Sequence, residues 1–428
     1  MRESHHRLIK VFSWALYDFA NTIFSMNILS LYFALWVTVD MGGKDIYYSS
    51  AQAISTLAMI ILMPLLGIIS DEYKRRMPFL IFCTLLSVVA TALIGLVDNL
   101  FLGLLFFIPA YFGFQVSIIF YDALLPQIAG SPSRVGRISG YGVALGYIGA
   151  IAGLKMIEPF VQQPGSDVIN RSQAFIPTAV FFLLFALPCL IVIKDTEHRP
   201  VDLSVLKRFP SALRKLIATL KHVRDYPNFF LFLCSHIAYS EAINTIFMFM
   251  GIYAAKVIGF TQAQIINFLV VSTTSAALGS LVWGWLTDRW GNKTTMTIIL
   301  SGWVIALTLA MLSAHKNMFW LVGPLAGICL GGVWVTGRSI VVQLAPKAKL
   351  GEFFGLYGLT GRFTAILGPM LWGITTYVFA LMQKEELGYR IAVGTLLCSI
   401  TLGLILFQFV RFPGKKESID VKAASSEG

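Results

Sequence analysis

The sequence predicts an all-α membrane protein, with twelve transmembrane helices in two pseudo-symmetric six-helix bundles. Three observations predict it. First, 57% of the 428 residues are hydrophobic and only 13% are charged, against about 25% charged in an average soluble chain. Second, the apolar residues gather into twelve runs, each near the roughly 20 residues that cross a bilayer. Third, the second half of the chain repeats marks of the first. This composition excludes an ordinary soluble domain, a disordered chain and a disulfide-stapled module.

In order, the runs cover 11–38, 49–70, 78–97, 100–127, 138–160, 174–193, 228–254, 263–286, 295–314, 318–343, 353–381 and 391–411, bounded by charged or Gly/Pro-rich breaks. The first contains Asp18 and Asn21 and lacks a small-residue cleavage site, so it reads as a helix that stays in the membrane. The fifth carries Lys155 and Glu158, three residues apart near its outer end, where a local ion pair is expected. The domains follow: an N-terminal six-helix bundle over 1–193, a cytoplasmic linker over 194–227, a C-terminal six-helix bundle over 228–411 and a cytoplasmic tail over 412–428. In the linker, Leu206, Leu213, Leu216 and Leu220 share one face of a possible amphipathic helix over 203–223. Such a helix would lie on the anionic inner leaflet; a solvated linker is the alternative. The five cysteines lie inside apolar runs without a C-x-x-C pair, which suits small, unpaired packing residues.

Orientation comes from the basic residues. With the N-terminus inside, 24 of the 33 Lys and Arg fall on inside segments and six on outside loops. That asymmetry is the positive-inside signal. It gives cytoplasmic termini, an even number of spans and a cell (inner) membrane location. The formal charge of +11 is therefore a topology signal, and no nucleic-acid partner is implied. Trp36 and Trp320 sit near presumed outer ends, in an interfacial belt.

The internal repeat has three matched parts. Asp18-x-x-Asn21-Thr22-Ile23-Phe24 recurs as Glu241-x-x-Asn244-Thr245-Ile246-Phe247, offset by 223. Gly67-x-x-x-Asp71 recurs as Gly284-x-x-x-Asp288, offset by 217. Gln127-Ile128-Ala129 recurs as Gln343-Leu344-Ala345, offset by 216. Two parallel six-helix repeats imply a transporter whose halves rock about a site near the bilayer midplane.

With these motifs the chain resembles the major facilitator superfamily. Gly284-Trp-Leu-Thr-Asp288-Arg289-Trp-Gly291-Asn-Lys293 is similar to its signature loop. The first-half copy, Gly67 to Arg76 with Asp71, Lys74 and Arg75, lacks the glycine expected after the first basic position. A narrower resemblance is to the vacuolar amino-acid effluxers linked to fungal autophagy and their bacterial relatives. It rests on Trp14-Ala-Leu-Tyr17-Asp18-Phe-Ala-Asn21, Tyr121-Asp122-Ala-Leu-Leu-Pro126 and Glu352-Phe-Phe-Gly355-Leu-Tyr357-Gly-Leu-Thr-Gly361-Arg362. The chain departs from that family at Asp122, where Asn is common, and at Arg362, where Lys is common.

The marked residues divide into two groups. Asp71 and Asp288 can reach the N-terminal ends of spans eleven and five, where a helix dipole favours negative charge by ~0.3–1 kcal/mol. The resemblance implies that such contacts, with Arg75, Arg289, Gly291 and Lys293, brace the cytoplasmic side when the cavity opens outward. Gly67 and Gly284 would allow close helix approach; ordinary loop charges are the plainer alternative. The second group is ionisable and lies inside spans, at a cost of at least ~2.5–3.5 kcal/mol per charge at a helix centre. Asp18 and Glu241 occupy equivalent places in spans one and seven, which in the superfamily line the central cavity. Asn21 and Asn244 follow three residues on, on the same faces. Proton coupling or substrate contact is one reading, and a fixed hydrogen bond to a neighbouring helix end is the other. Asp122 and Arg338 correspond at an offset of 216, in spans four and ten. They suit either a zwitterion such as an amino acid or a static bridge locking the cytoplasmic gate. Arg362, in span eleven, is open to anion binding or snorkelling.

No G-x-x-x-x-G-K-[ST], H-E-x-x-H or G-x-S-x-G motif occurs, and the six histidines are scattered. No enzyme activity, cofactor or metal is expected. The glycine rows Gly142, Gly146, Gly149, Gly153 and Gly355, Gly358, Gly361 read as packing surfaces in spans five and eleven. The expected function is secondary active transport of a small polar or zwitterionic solute, amino acids first by resemblance, by alternating access and with proton coupling. A monomer surrounded by membrane lipid is expected. Alternatives are an exporter of amphipathic drugs or lipids, for which 33 Phe residues speak, and, from another class, a receptor or intramembrane enzyme.

Overall fold

Helices here bury one face in an apolar core and also expose large apolar side chains on the other. In Met77–Ile94, Phe82, Leu85 and Val89 are exposed, while Cys83, Thr84, Ser87 and Thr91 are buried. Water penalises such a surface and hydrocarbon favours it. The computed structural model describes residues 2–43, 45–161, 170–195, 225–313 and 315–412. Among them every regular element is helical, and ten helices are long and apolar enough to cross a membrane. The protein is an integral, multi-pass membrane protein.

The chain opens with α1 (Arg2–Phe24), continuous with a π-helical stretch (Ser25–Tyr32), a short α2 (Phe33–Leu35) and a second π-helical stretch (Trp36–Asp40). Then come α3 (Asp45–Tyr73), α4 (Met77–Ile94), α5 (Leu100–Ala123), α6 (Leu125–Ala129), α7 (Val135–Val161) and α8 (Phe175–Val192). The second half holds α9 (Pro227–Lys256), α10 (Gln262–Trp290), α11 (Asn292–Leu312), α12 (Lys316–Leu344), α13 (Leu350–Leu381) and α14 (Glu385–Gln408). Helix α1 packs on α7 and α8, α4 on α5 and α8, and α3 on α5. In the second half α9 packs on α13 and α14, α12 on α10 and α11, and α14 on α11 and α13. Contacts between the halves run through α7 with α10 and α12, and through α3 and α5 with α13.

Some sequence expectations change in detail. Helix α1 begins nine residues before the predicted span, and Arg7 donates to the Ala129 carbonyl at the end of α6. The repeated motif is less a loop than a pair of helix ends. Asp71 lies in the last turn of α3, and Asp288 and Arg289 in the last turn of α10. Lys155 and Glu158 do pair, at 2.9 Å, on an exposed face of α7. Cys83, Cys189 and Cys329 are buried, but Cys398 faces outward. The amphipathic helix expected over 203–223 and the tail from residue 413 lie outside the described residues.

The two turns following those helix ends solve one problem differently. Between α10 and α11 the chain turns on Gly291, with φ +85° and ψ 160°, a region open essentially to glycine. At the equivalent place between α3 and α4 stands Lys74, with φ +52°, where a side chain costs roughly 1–2 kcal/mol. The glycine missing from the first-half motif is thus replaced by a lysine held left-handed. Gly291→Ala is expected to destabilise the protein by about 1–3 kcal/mol. Lys74→Gly is expected to be neutral or slightly stabilising, because the relieved strain outweighs glycine's entropy cost of about 0.5–1 kcal/mol. Thermal unfolding of the two purified variants checks both signs.

Candidate functional site

One end of the helices carries Arg7, Lys74, Arg75, Arg76, Arg134, Arg137, Arg289, Lys293, Lys347 and Lys349, and is called the basic end below. At this end the halves meet most closely, and glycine makes the approach possible. A Cβ on Gly67 of α3 would stand 2.5 Å from the Gly351 carbonyl oxygen of α13. A Cβ on Gly284 of α10 would stand 2.7 Å from the Gly136 carbonyl oxygen of α7. Both distances are shorter than contact allows, so any side chain would wedge the crossings apart.

Each crossing is tied by a carboxylate on a helix N-terminus, where unsatisfied amides and the dipole both welcome it. Asp71 accepts from the Glu352 amide at 3.0 Å, in the first turn of α13. Asp288 accepts from the Gly136 and Arg137 amides at 2.9 and 3.0 Å, in the first turn of α7. The two ties are mirror images: α3 to α13 and α10 to α7. Their basic partners are Arg76, 3.3 Å from Asp71, and Arg137, 3.8 Å from Asp288. Arg76 also donates to the Ala123 carbonyl at 2.7 Å, joining the turn between α3 and α4 to the end of α5. Of the other residues marked in the motif, Arg75 lies half-buried in the turn. Arg289 stacks over the Trp285 ring at 5.0 Å. Lys293 donates to the Gln408 and Val410 carbonyls at 2.8 and 3.0 Å, closing the end of α14.

Deeper in, Arg338 of α12 crosses to the first half. Six residues from the helix end, it lies about 9 Å inside. Its Nη1 and Nη2 donate to both oxygens of Asp18 in α1, at 2.8 and 3.2 Å. Its Nε stands 2.9 Å from Asp122 Oδ1 in α5. All three side chains are about nine-tenths buried or more. The bidentate fork matches guanidinium to carboxylate geometry, and the group carries one formal negative charge in excess. Its floor is the Tyr121 ring, 5.5 Å from the Arg338 guanidinium carbon. That ring stacks on Trp14 at 4.4 Å and Tyr17 at 5.0 Å, and Trp14 Nε1 donates to the Tyr121 carbonyl at 3.1 Å. Helices α1 and α5 thus form one wedge. Gly142 of α7 makes room for it: a Cβ there would stand 2.7 Å from Asp18 Oδ2 and 3.0 Å from the Tyr121 hydroxyl.

Among the described side chains, the hydrogen bonds and ion pairs of Arg338 run to Asp18 and Asp122 rather than to the remaining marked residues. Glu241 of α9 is buried, and its Oε1 has no hydrogen-bond partner. A Cβ on Gly368 of α13 would approach its Cγ to 3.0 Å. Asn21 is buried with its Oδ1 unpartnered, and Asn244 is half-buried. Arg362 lies in α13, and its side chain is outside the described ones. Sequence reasoning missed His236 of α9, buried with Nδ1 2.7 Å from Thr360 Oγ1. Thr360 already donates to the Tyr357 carbonyl at 2.7 Å, so His236 is the donor and carries its proton on Nδ1. It also missed the aromatic floor, although Trp14, Tyr17 and Tyr121 all stand in the segments that carry the narrower resemblance.

The comparisons with known proteins agree on the kind of molecule. The family model of the vacuole effluxer Atg22-like proteins matches residues 37–418. The MFS-type transporter YxiO of Bacillus subtilis (strain 168) is 28% identical over 419 residues, covering 93% of this chain and 94% of its own. Autophagy-related protein 22 of Kluyveromyces lactis is 22% identical over 375 residues, covering 78% of this chain and 76% of its own. Among solved structures, a bacterial homologue of the iron transporter ferroportin in an outward-facing state superposes with a TM-score of 0.71 at 14% identity, covering 94% of this chain and 98% of its own. The human organic anion transporter MFSD10 (TETRAN) superposes with a TM-score of 0.70 at 13% identity, covering 94% and 99%. Both share the fold of these transporters.

The buried triad makes a stability prediction. Arg338→Met leaves two buried carboxylates without their cation and is expected to cost about 3–5 kcal/mol. Adding Asp18→Asn and Asp122→Asn to it is expected to recover most of that loss, because no unpaired charge remains. A melting-temperature cycle over the variants checks the coupling.

Proposed function

The chain belongs to the Atg22-like vacuole effluxer family, and we propose that it is a secondary active transporter of a small polar or zwitterionic solute, amino acids first. As a major-facilitator-type transporter it would work by alternating access between two six-helix bundles, 1–193 and 228–411. The observation that carries the reading is the bidentate Arg338–Asp18 bridge, joined by Asp122, between the halves at the basic end.

The basic end corresponds to the cytoplasmic side under the positive-inside rule, with both termini there and the chain in the cell membrane. The described geometry is then the state sealed to the cytoplasm. Helices α3 and α13, each long enough to span, complete a set of twelve with the ten strongly apolar ones. The seal has three layers: the glycine crossings, the two carboxylate ties on helix ends, and the Arg338 triad. Opening it breaks a buried ion pair, which costs several kcal/mol unless new partners replace the old. A solute bearing both an ammonium and a carboxylate supplies such partners to each separated side. A drug or lipid without such charged groups supplies none, which favours a zwitterionic solute over an uncharged amphipathic one.

Coupling to protons would rest on Glu241. A lone carboxylate in a membrane helix is expensive, and protonation removes the charge. Its position in α9, away from the triad, lets it load and release a proton without unlocking Arg338. Asp18, its counterpart by repeat, is tied to Arg338 in this state and would become available only when the seal opens.

An imposed pH gradient across proteoliposomes tests this. The wild type should accumulate amino acids against their gradient. Glu241→Gln should lose gradient-driven accumulation on the order of ten-fold while keeping solute exchange without a gradient. Full gradient-driven accumulation by the variant would rule Glu241 out as the proton carrier.

A further inference from the structure

The two carboxylates and the aromatic ring that hold the Arg338 guanidinium belong to one half of the molecule, and the arginine belongs to the other. Asp18, Asp122, the Tyr121 ring and the Gly142 gap come from α1, α5 and α7. Helices α1 and α5 are tied by the Trp14–Tyr121 hydrogen bond and ring stack, and α7 packs along α1. The seat therefore keeps its shape when α12 moves away. It also holds more than a latch needs. One carboxylate would suffice to hold one guanidinium; here there are two, plus an aromatic face and a fully buried Tyr121 hydroxyl without a hydrogen-bond partner. That hydroxyl faces Gly142 beside Asp18 Oδ2. Two carboxylates over an aromatic ring are the chemistry that selects an ammonium or guanidinium group.

We propose that this seat is the cation subsite for the transported solute, and that Arg338 is its built-in stand-in. The proposal deepens the transporter reading and rests on it. In the sealed state the arginine fills the seat, so solute binding and sealing exclude each other. When the halves part at the basic end, the guanidinium leaves with α12 and the solute's cationic group takes its place. The freed Arg338 then meets the solute's carboxylate with the same planar fork. The charge count sharpens the solute class. Two acids and one base match a solute with two cationic groups and one carboxylate, the pattern of a basic amino acid. A neutral zwitterion leaves one negative charge unmatched and binds more weakly.

The test uses the purified full-length protein and small cations that mimic the arginine head. Arg338→Ala should melt lower than the wild type, and methylguanidinium should restore its melting temperature saturably. The wild type, whose seat is filled, should not respond to methylguanidinium. Adding Asp18→Asn to Arg338→Ala should abolish the restoration. Absence of a saturable response in Arg338→Ala, or a response that survives Asp18→Asn, overturns the proposal. Should Arg338→Ala not survive purification, the wild type provides a second reading. Lysine and arginine bring a carboxylate that gives the displaced Arg338 a partner, where methylguanidinium gives none. By binding the parted state they should protect the wild type at about ten-fold lower concentration than leucine, and Asp122→Asn should remove that preference. Equal protection by leucine overturns the cation subsite. Proteoliposome uptake separates the cation seat from the transporter reading. Transport of amino acids without methylguanidinium rescue would sink the seat and spare the transporter reading. Rescue without transport of any amino acid would do the reverse.

Discussion

A guanidinium among membrane helices has to be paired, and here the pairing reaches across the molecule. Arg338 stands on α12, and its two carboxylate partners stand on α1 and α5. Low-dielectric surroundings penalise each charge alone far more than the ion group together. The halves therefore cannot separate at the basic end without finding other partners for all three groups. That single constraint explains why so much local chemistry converges there. Gly142 keeps space for Asp18, the Trp14–Tyr121 stack fixes the wedge, and Gly67 and Gly284 let the helices cross within reach.

The carboxylate ties complement this bridge. Asp71 and Asp288 each hold a helix N-terminus of the opposite half. Each tie is individually weak, about 0.3–1 kcal/mol from the dipole. Under the proposed alternating access, weak paired ties at the rim and one strong ion group inside would make a closure that is stable yet reversible. The repeat in the sequence makes the rim symmetrical. The interior is not symmetrical: Glu241 stands where the first half has Asp18, and among the described residues it has no ion-pair partner.

Much of the fold was legible in the sequence, because hydrocarbon imposes length and polarity on every span. The apolar runs at 78–97 and 174–193 correspond closely to Met77–Ile94 and Phe175–Val192. The helix-end contacts of Asp71 and Asp288 could be read from spacing and dipole chemistry. The choice of basic partner could not: residues 74–76 lie in the turn between two helices, and the conformation of that turn, with Lys74 left-handed, decides that Arg76 meets Asp71. Asp122 and Arg338 were visible as opposite charges at matched positions, whereas the addition of Asp18 depends on how the halves dock. His236 was not legible, since its partner Thr360 lies 124 residues away in the chain.

In the proposed cycle Arg338 holds the basic end closed. Spin labels at Ser133 and Ala348 sit on exposed positions at that end, one on each half. Pulsed electron-electron resonance between them, in a background without native cysteines, reads the separation directly. The wild type should show one predominant short distance, and Arg338→Ala should shift a substantial population to a longer one. An unchanged distance distribution in the variant would contradict the account.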